Sequence, residues 1–381
     1  PKYSATAFSN LSTVLNITIL MHENNYTGDF LSRWKDNNFY YFIWGGSAPP
    51  DILEDMQNKE KPNGTYIIGP EEWEAVEIFP NGWEYIAYKE YAEKYGIDFK
   101  VITGAINDSK YNYRYKFNND SNILSFPTYF AYVVLNHAVD LERQPLGHGK
   151  LKRLFTSMNG RLHPWRCMFI DHMYKNKLLK KGYVSWHELD KVEDYNYEFK
   201  HWTPEKLSFD AGWENEDGMC DIYRPPKEFQ NSVFSLISES NTMCLFYTEK
   251  TFVPVLNKRP FLIWGAPHAN TYFKKLGFEI FDEVIDYSFD SIDNDLQRCQ
   301  GYFDQVKELS KIPLDELSKL VYNKVEHNYY RLLDIVENKE YVPEVFDKIN
   351  SYNPTSHNYL RNYYNILNIG NSERYNEWKR K

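Results

Sequence analysis

The chain has 381 residues, with 44 lysines and arginines against 53 aspartates and glutamates, so its formal net charge is −9. Hydrophobic residues make up 42% and aromatic residues 17%, which excludes disorder as the main state and allows two or three domains with sizeable cores. The acidic balance argues against a dedicated nucleic-acid-binding protein, whose surface is usually basic.

Cysteine spacing and hydropathy narrow the class further. The four cysteines fit neither a CxxC pair nor a zinc-ligand spacing, which favours free thiols in a reducing compartment. No apolar run reaches the roughly 18 residues of a membrane span, and the polar segment 1–10 does not resemble a secretory signal. Together these features predict a cytoplasmic protein.

The first part of the chain alternates short apolar runs with turn-forming residues. These runs predict strands over residues 17–21, 39–44, 65–68 and 99–103. Apolar residues at helical spacing predict a helix over 84–95, ended by Gly96. Strands that alternate with helices at this spacing indicate an α/β unit with a mostly parallel sheet.

The same alternation begins again near residue 150. It predicts strands over 151–156, 232–237 and 260–264, and helices over 165–179, 248–257 and 268–276. Amphipathic helix is expected from 293 to about 350. The predicted fold is therefore α/β, with an N-terminal Rossmann-like domain (1–150), a second Rossmann-like domain (151–290) and a helical tail (291–381).

The most informative residues lie between the strand at 232–237 and the helix that follows it. Thr248, Glu249 and Lys250 are expected at the N-terminus of this helix, where free N–H groups and the helix dipole attract phosphate. Lys250 adds a full positive charge for a diphosphate, and Glu249 can accept hydrogen bonds from ribose hydroxyls. The alternative from these residues alone is a capped helix, with Thr248 as N-cap and a solvated lysine.

A longer pattern around these residues resembles a known family. Glu239, followed by Tyr247-Thr-Glu-Lys250 and then Lys258-Arg-Pro-Phe-Leu-Ile-Trp-Gly-Ala-Pro267, is similar to the donor-binding signature of the α-1,3-fucosyltransferases. The resemblance implies the two-domain GT-B fold, with 1–150 as the acceptor domain and 151–290 as the nucleotide-sugar donor domain. It also implies inverting sugar transfer from a nucleotide-diphosphate donor without a metal. It also assigns the donor's ribose to Glu249 and its phosphates to Lys250.

The sequence departs from that signature at two positions. The family has Asn after the first Glu, where this chain has Ser240, with Asn241 one place later. The aromatic residue two places before the threonine is Phe246 instead of Tyr, which removes a hydroxyl contact unless Tyr247 supplies it. Glu239, with Ser240, Asn241, Tyr247 and Thr248, completes the expected donor-binding set on this side, and the identity of the sugar and base stays open.

A second cluster opens the predicted donor domain. Asn159, Arg161, His163 and Arg166 follow the strand at 151–156 and resemble an Asn-Arg…His-Arg pattern of viral and bacterial relatives. The family's diphosphate-binding arginine matches Arg166 best, with Arg161 as the second choice. An arginine at a helix start can bind phosphate oxygens in a bidentate manner.

The catalytic base is harder to locate. It should be a carboxylate or histidine near the acceptor hydroxyl, and ligand clefts lie beyond the carboxyl ends of parallel strands. That rule selects His22 and Glu23, which follow the first strand. The alternatives are Asp29, Glu71 and Glu72.

The function predicted from the sequence is transfer of a sugar from a GDP- or UDP-sugar to a glycan hydroxyl. No metal and no further cofactor are expected, because neither a P-loop nor metal-ligand spacing is present. One alternative is glycosylation of a modified DNA base, for which basic segments at 150–153 and 175–181 leave room. The other is a non-catalytic nucleotide-sugar-binding protein, which the changes at Ser240 and Phe246 motivate.

Overall fold

The chain divides into two compact units, residues 1–136 with 339–369 and residues 137–338 with 370–381. The computed structural model describes residues 19–20, 39–45, 64–70, 89–90, 93–94, 96, 98–111, 121–137, 150–159, 163–186, 197–205, 207, 227–240, 242–338 and 340–344. The α/β prediction is confirmed in both units, because each contains a parallel sheet with helices.

The sheet of the first unit has five parallel strands in sequential order, β1-β2-β3-β4-β5. Its described elements are β1 (Ile19–Leu20), β2 (Phe39–Gly45), β3 (Gly64–Pro70), β4 (Asp98–Thr103), β5 (Ile123–Ser125) and α1 (Tyr129–His137). The first four strands lie where apolar, β-prone runs predict them. The sequence gives little sign of β5, which has only three residues.

Hydrogen bonds between neighbouring loops close the carboxyl ends of β4 and β5. The Phe126 N–H donates to the Thr103 carbonyl at 2.7 Å, and the Ser125 hydroxyl donates to the Ala105 carbonyl at 2.7 Å. The Thr103 hydroxyl accepts from the Ala105 N–H. These bonds satisfy polar groups of the buried turn that leads into α1.

The sheet of the second unit has four parallel strands in the order β7-β6-β8-β9. Its strands are β6 (Arg153–Ser157), β7 (Gly182–Val184), β8 (Ser232–Ser238) and β9 (Phe261–Trp264). Its helices are α2 (Pro164–Lys175), α3 (Lys227–Gln230), α4 (Glu249–Leu256), α5 (Ala269–Lys275), α6 (Asp295–Leu309) and α7 (Leu314–Glu337), with short 3-10 turns at Leu179–Lys181 and Tyr287–Ser291.

The core of the second unit lies around β8 and β9, all of whose residues are buried. Continuous apolar runs are typical of parallel strands that are covered on both faces. The α6 helix packs on α2 through aromatic rings, with the Phe169 and Phe303 centroids 4.9 Å apart. The described helices of the predicted tail therefore belong to the second unit.

Two helices differ in detail from their predictions. The α2 helix ends at Lys175 and not at 179, because Lys177 adopts a left-handed conformation with φ of 58°. The α4 helix continues through Pro254, whose ring nitrogen has no proton to donate to the carbonyl of Lys250.

The described cysteines, Cys167, Cys244 and Cys299, are buried, and Cys167 and Cys299 are free thiols. Burial raises the pKa of the Cys167 thiol to about 12, which makes it a poor nucleophile. Among the residues that the structure describes, no helix combines the length and the apolar character needed to cross a bilayer.

Candidate functional site

The strand order of the second sheet reverses between β6 and β8. Chain order runs from β6 outward to β7 on one side, and then returns to β8 and β9 on the other. Such a reversal opens a crevice at the carboxyl ends of the two central strands, where α/β proteins bind ligands. Asn159 follows β6 and Glu239 follows β8, so both predicted clusters flank this crevice.

Glu239 is buried at the end of β8 and accepts four hydrogen bonds. Its Oε1 accepts from the Thr248 N–H at 3.1 Å and from the Thr251 hydroxyl at 2.5 Å. Its Oε2 accepts from the Thr248 hydroxyl at 2.7 Å and from the Ser240 N–H at 3.3 Å. Burial raises the pKa of the Glu239 carboxyl, and the nearby Lys250 charge and the two threonine hydroxyls oppose that rise.

Thr248 is the N-cap of α4, as the capped-helix interpretation predicts. Its backbone is extended and its hydroxyl accepts from the Lys250 N–H at 3.2 Å. The cap and Glu239 together satisfy donors that a phosphate would otherwise bind at an open helix N-terminus. An anion at this site can therefore bind the Lys250 ammonium, whereas the N–H groups of Thr248 and Lys250 already have acceptors.

The first turn of α4 carries two partly exposed, opposite charges. Lys250 Nζ lies 2.8 Å from Glu249 Oε1, and the two side chains are 26% and 16% exposed. The same ammonium donates to the Ser240 hydroxyl at 3.3 Å. Ser240, which replaces the expected asparagine, therefore contacts the lysine that the resemblance assigns to the phosphates.

Two residues of the second predicted cluster, Asn159 and Arg166, are buried. The Asn159 N–H donates to the Ser185 hydroxyl at 3.0 Å, and Asn159 Nδ2 donates to the Ser157 hydroxyl at 3.1 Å. Within the described residues, the buried Asn159 Oδ1 accepts no hydrogen bond. It is a buried acceptor at the edge of β6 that an ordered water can satisfy.

Arg166 lies in the first turn of α2, where its N–H donates to the His163 carbonyl at 2.9 Å. Its side chain is buried, with an exposed fraction of 2%. Phosphate binding by Arg166 stays a prediction. Arg161, Asn241, His22 and Glu23, together with Asp29, Glu71 and Glu72, lie outside the described residues.

Tyr247 does not offer its hydroxyl to the crevice. The ring is buried, and the hydroxyl donates to the Ala269 carbonyl at 2.6 Å. This bond joins the loop before α4 to the first turn of α5. In this structure Tyr247 therefore does not replace the hydroxyl that Phe246 lacks, and its packing role is the one that the contacts support.

Three residues in or next to the site make long-range hydrogen bonds and carry no motif in the sequence. Two of them, Asp290 and Arg298, lie at the start of α5 and the end of β9, outside the proposed phosphate site. Thr251 supplies the fourth donor to Glu239. Asp290 accepts from the backbone and side chains of Asn270 and Thr271 at the start of α5. Arg298, on α6, is buried and donates to the Gly265 carbonyl just after β9. Each acts across 12 or more residues of sequence, so only the folded chain reveals the pairing.

The basic segments that keep the DNA alternative open lie elsewhere. Lys150, Lys152 and Arg153 lead into β6, and Lys180 and Lys181 lead into β7. They are exposed at the amino-terminal edge of the sheet, opposite the carboxyl edge that carries Lys250. These cations therefore do not line the crevice.

No group of three His, Cys, Asp or Glu side chains suited to a metal ion occurs among the described residues. Metal independence stays a prediction, because the described residues are only part of the chain.

Comparison with known proteins gives fold similarity alone. No protein-family model matches the chain, and no curated protein matches it. Among solved structures, a mutant of T4 phage BGT in complex with UDP-glucose is 13% identical, with a TM-score of 0.47 over 91% of this chain and 93% of that chain. The DNA-modifying enzyme β-glucosyltransferase is 12% identical, with a TM-score of 0.46 over 91% and 93%. An α1,3-fucosyltransferase is 11% identical, with a TM-score of 0.36 over 90% and 88%. Because all three TM-scores are below 0.5, function is inferred from the residues of the site itself.

Proposed function

We propose that the chain is a nucleotide-sugar-dependent glycosyltransferase whose donor diphosphate binds at the first turn of α4. The observation that carries this proposal is the Lys250–Glu249 pair, which is partly exposed at the carboxyl edge of the sheet beside the reversal of strand order. The sequence pattern from Glu239 to Lys250 supports the same assignment.

The two side chains match the two halves of a nucleoside diphosphate. Lys250 Nζ is bound to Glu249 and Ser240, and a diphosphate offers it a stronger charge-assisted hydrogen bond than the serine does. Glu249 then accepts hydrogen bonds from the ribose hydroxyls.

Catalysis follows from charge stabilisation on the leaving group. The acceptor oxygen attacks the anomeric carbon, the bond from that carbon to the phosphate oxygen breaks, and the nucleoside diphosphate leaves with the added negative charge. Lys250 stabilises this charge as it develops, which lowers the barrier for the chemical step. A single displacement of this kind inverts the anomeric centre.

The base that takes the acceptor proton is proposed to be Glu23 or His22, because both residues follow the first strand of the first sheet in the sequence. The acceptor is proposed to be a glycan hydroxyl, and the reaction is proposed to need no metal. Unchanged turnover in the presence of a chelator is the expected result for the last point.

The test begins with thermal unfolding in the presence of nucleoside diphosphates and nucleotide sugars. At a ligand concentration of 100 times Kd, binding stabilises the fold by about 2.7 kcal/mol, which is easily seen in Tm. We expect one base to stabilise the wild type and the stabilisation to be lost in Lys250→Gln. No shift with any nucleotide would leave Thr248–Lys250 as a helix cap only.

A second measurement separates an enzyme from a binding protein. A transferase is expected to release free nucleoside diphosphate from the stabilising nucleotide sugar even with water as acceptor. Phosphorus NMR measures this release. An intact donor would favour the non-catalytic alternative. Acceleration by duplex DNA whose modified bases carry a hydroxyl group, and not by glycans, would favour the DNA alternative. That acceleration should fall steeply with added salt.

A further inference from the structure

Glu239 cannot contact the donor directly while its observed hydrogen bonds are intact. Its two carboxylate oxygens already accept from two N–H groups and two hydroxyls, and the residue is 1% exposed. The sequence pattern groups Glu239 with the donor-binding residues, but its geometry directs it into the protein.

The four donors come from both ends of the loop that precedes α4. Ser240 begins that loop, Thr248 ends it and Thr251 lies in the first turn of the helix. The backbone of Glu239 is fixed in turn, because its N–H donates to the Trp264 carbonyl at the end of β9 at 2.8 Å. One carboxylate therefore fixes the start of α4 relative to the edge of the sheet.

Two short paths lead from this carboxylate to Lys250. The Thr248 hydroxyl donates a hydrogen bond to Glu239 Oε2, and its oxygen accepts one from the Lys250 N–H at 3.2 Å. Ser240 donates its N–H to the same oxygen, and its hydroxyl accepts from Lys250 Nζ at 3.3 Å. The backbone and the ammonium of Lys250 are each one residue removed from Glu239.

We propose that Glu239 is a positioning residue for the donor site, which acts through Thr248 and Ser240 to hold Lys250 where the diphosphate binds. This inference rests on the proposed function. It assigns to Glu239 an effect on nucleotide affinity that a carboxylate with only a structural role does not have.

The fold supplies a matched control at the neighbouring helix. Asp290 is also buried and also accepts four hydrogen bonds at a helix start, from Asn270 and Thr271 of α5. None of these bonds leads to Lys250. Asp290→Asn and Glu239→Gln therefore make the same chemical change at two helix N-termini, of which only one carries the proposed site.

The experiment measures the Kd of the preferred nucleoside diphosphate by calorimetry, at a temperature where every variant is folded by circular dichroism. Glu239→Gln can still accept through its amide oxygen, but its amide nitrogen faces the Thr248 hydroxyl and the Ser240 N–H. We expect Kd to rise about tenfold in Glu239→Gln, and to stay within about twofold of the wild type in Asp290→Asn.

A second pair of variants keeps the test open if Glu239→Gln does not fold. Thr248→Val removes the hydroxyl that links Glu239 to the Lys250 N–H, and Thr248→Ser restores it. Kd should rise in the valine variant and return towards the wild-type value in the serine variant.

The double variant Glu239→Gln, Lys250→Gln decides whether Glu239 acts through the lysine. If it does, the double variant has the same Kd as Lys250→Gln alone, because the lysine that Glu239 holds is gone. Multiplying effects in the double variant would overturn the proposal, as would a wild-type Kd in both Glu239→Gln and Thr248→Val. A wild type that binds no nucleotide would instead overturn the proposed function, and with it the role of Glu239.

Discussion

The N-termini of α4 and α5 both begin against a buried carboxylate, but their first turns differ in the side chains that they expose to solvent. Each helix follows a central or edge strand of one parallel sheet, and each begins against a buried carboxylate, Glu239 for α4 and Asp290 for α5. At α4 the first turn then presents the partly exposed Glu249 and Lys250, whereas at α5 it begins with the buried Ala269 and Asn270.

The difference shows what turns a helix start into a candidate phosphate site. At α5, Asn270 is consumed by β9, because its amide exchanges hydrogen bonds with both the N–H and the carbonyl of Ile263. Asp290 accepts from the N–H groups of Asn270 and Thr271. Within residues 242–338, all of which the structure describes, the first turn of α5 therefore offers a ligand neither a cation nor one of these two donors. At α4 the carboxylate satisfies the backbone but leaves the Lys250 ammonium near solvent, and the ammonium carries the binding capacity.

The largest expected effect is on stability, at the N-terminus of α5. Asp290→Asn places an amide nitrogen against donors of Asn270 or Thr271, and the unfolding free energy should fall by about 3 kcal/mol. Urea denaturation measures this change. Asp282→Asn is the control, because that carboxylate is 48% exposed and its loss should cost less than about 1 kcal/mol.

The next effect is on ligand binding at the N-terminus of α4. Lys250→Gln should raise the Kd of the preferred nucleoside diphosphate about 10- to 100-fold, since a charge-assisted hydrogen bond is lost. The unliganded Tm should change little, because the lysine is partly exposed. Lys274→Gln, which alters an exposed lysine on α5, should bind the nucleotide as the wild type does. Equal losses in the two variants would mean that only net charge matters.

A smaller effect is expected from the titration of Glu239. Because burial raises the pKa of this carboxyl above its ordinary value of 4.5, the folded state binds the proton more tightly than the unfolded chain does. Its contribution to stability is therefore fully present below pH 4.5 and is lost as pH rises through the folded value, by about 1.4 kcal/mol for each unit of pKa elevation. The difference in unfolding free energy between wild type and Glu239→Gln, measured across pH, should follow this sign. A difference that grows in favour of the wild type as pH rises would contradict it.

The smallest effect lies at the far end of α5. Hydrogen bonds from Lys274 and Lys324 lower the pKa of Asp282 to about 2. This contribution to stability is present above the unfolded pKa of 3.8 and is lost as pH falls through about 2. The wild type and Asp282→Asn should therefore converge in unfolding free energy at low pH, by less than about 1 kcal/mol in all.

The sequence predicts the elements of the second unit well, because β9 is a continuous apolar run, β8 is a short and mostly apolar run, and Thr248 is a good N-cap. It does not predict β7, which has three residues and depends on pairing with β6. It misplaces the end of α2, since nothing local announces the left-handed Lys177.

The site is only partly predictable for a related reason. Local spacing finds Glu249 and Lys250, whose roles depend on neighbours in the same turn. It assigns Glu239 to the ligand, because spacing does not tell whether a carboxylate points outward or into the helix start. Asp290 and Arg298 are missed, since their partners are distant in sequence.

A crystal structure with the preferred nucleoside diphosphate bound would show directly whether the diphosphate binds at the first turn of α4. We expect phosphate oxygens within hydrogen-bond distance of Lys250 Nζ, ribose hydroxyls at the Glu249 carboxylate, and no ligand atom at the start of α5. A nucleotide bound elsewhere, with the 2.8 Å Lys250–Glu249 pair unchanged and without ligand contact, would contradict it.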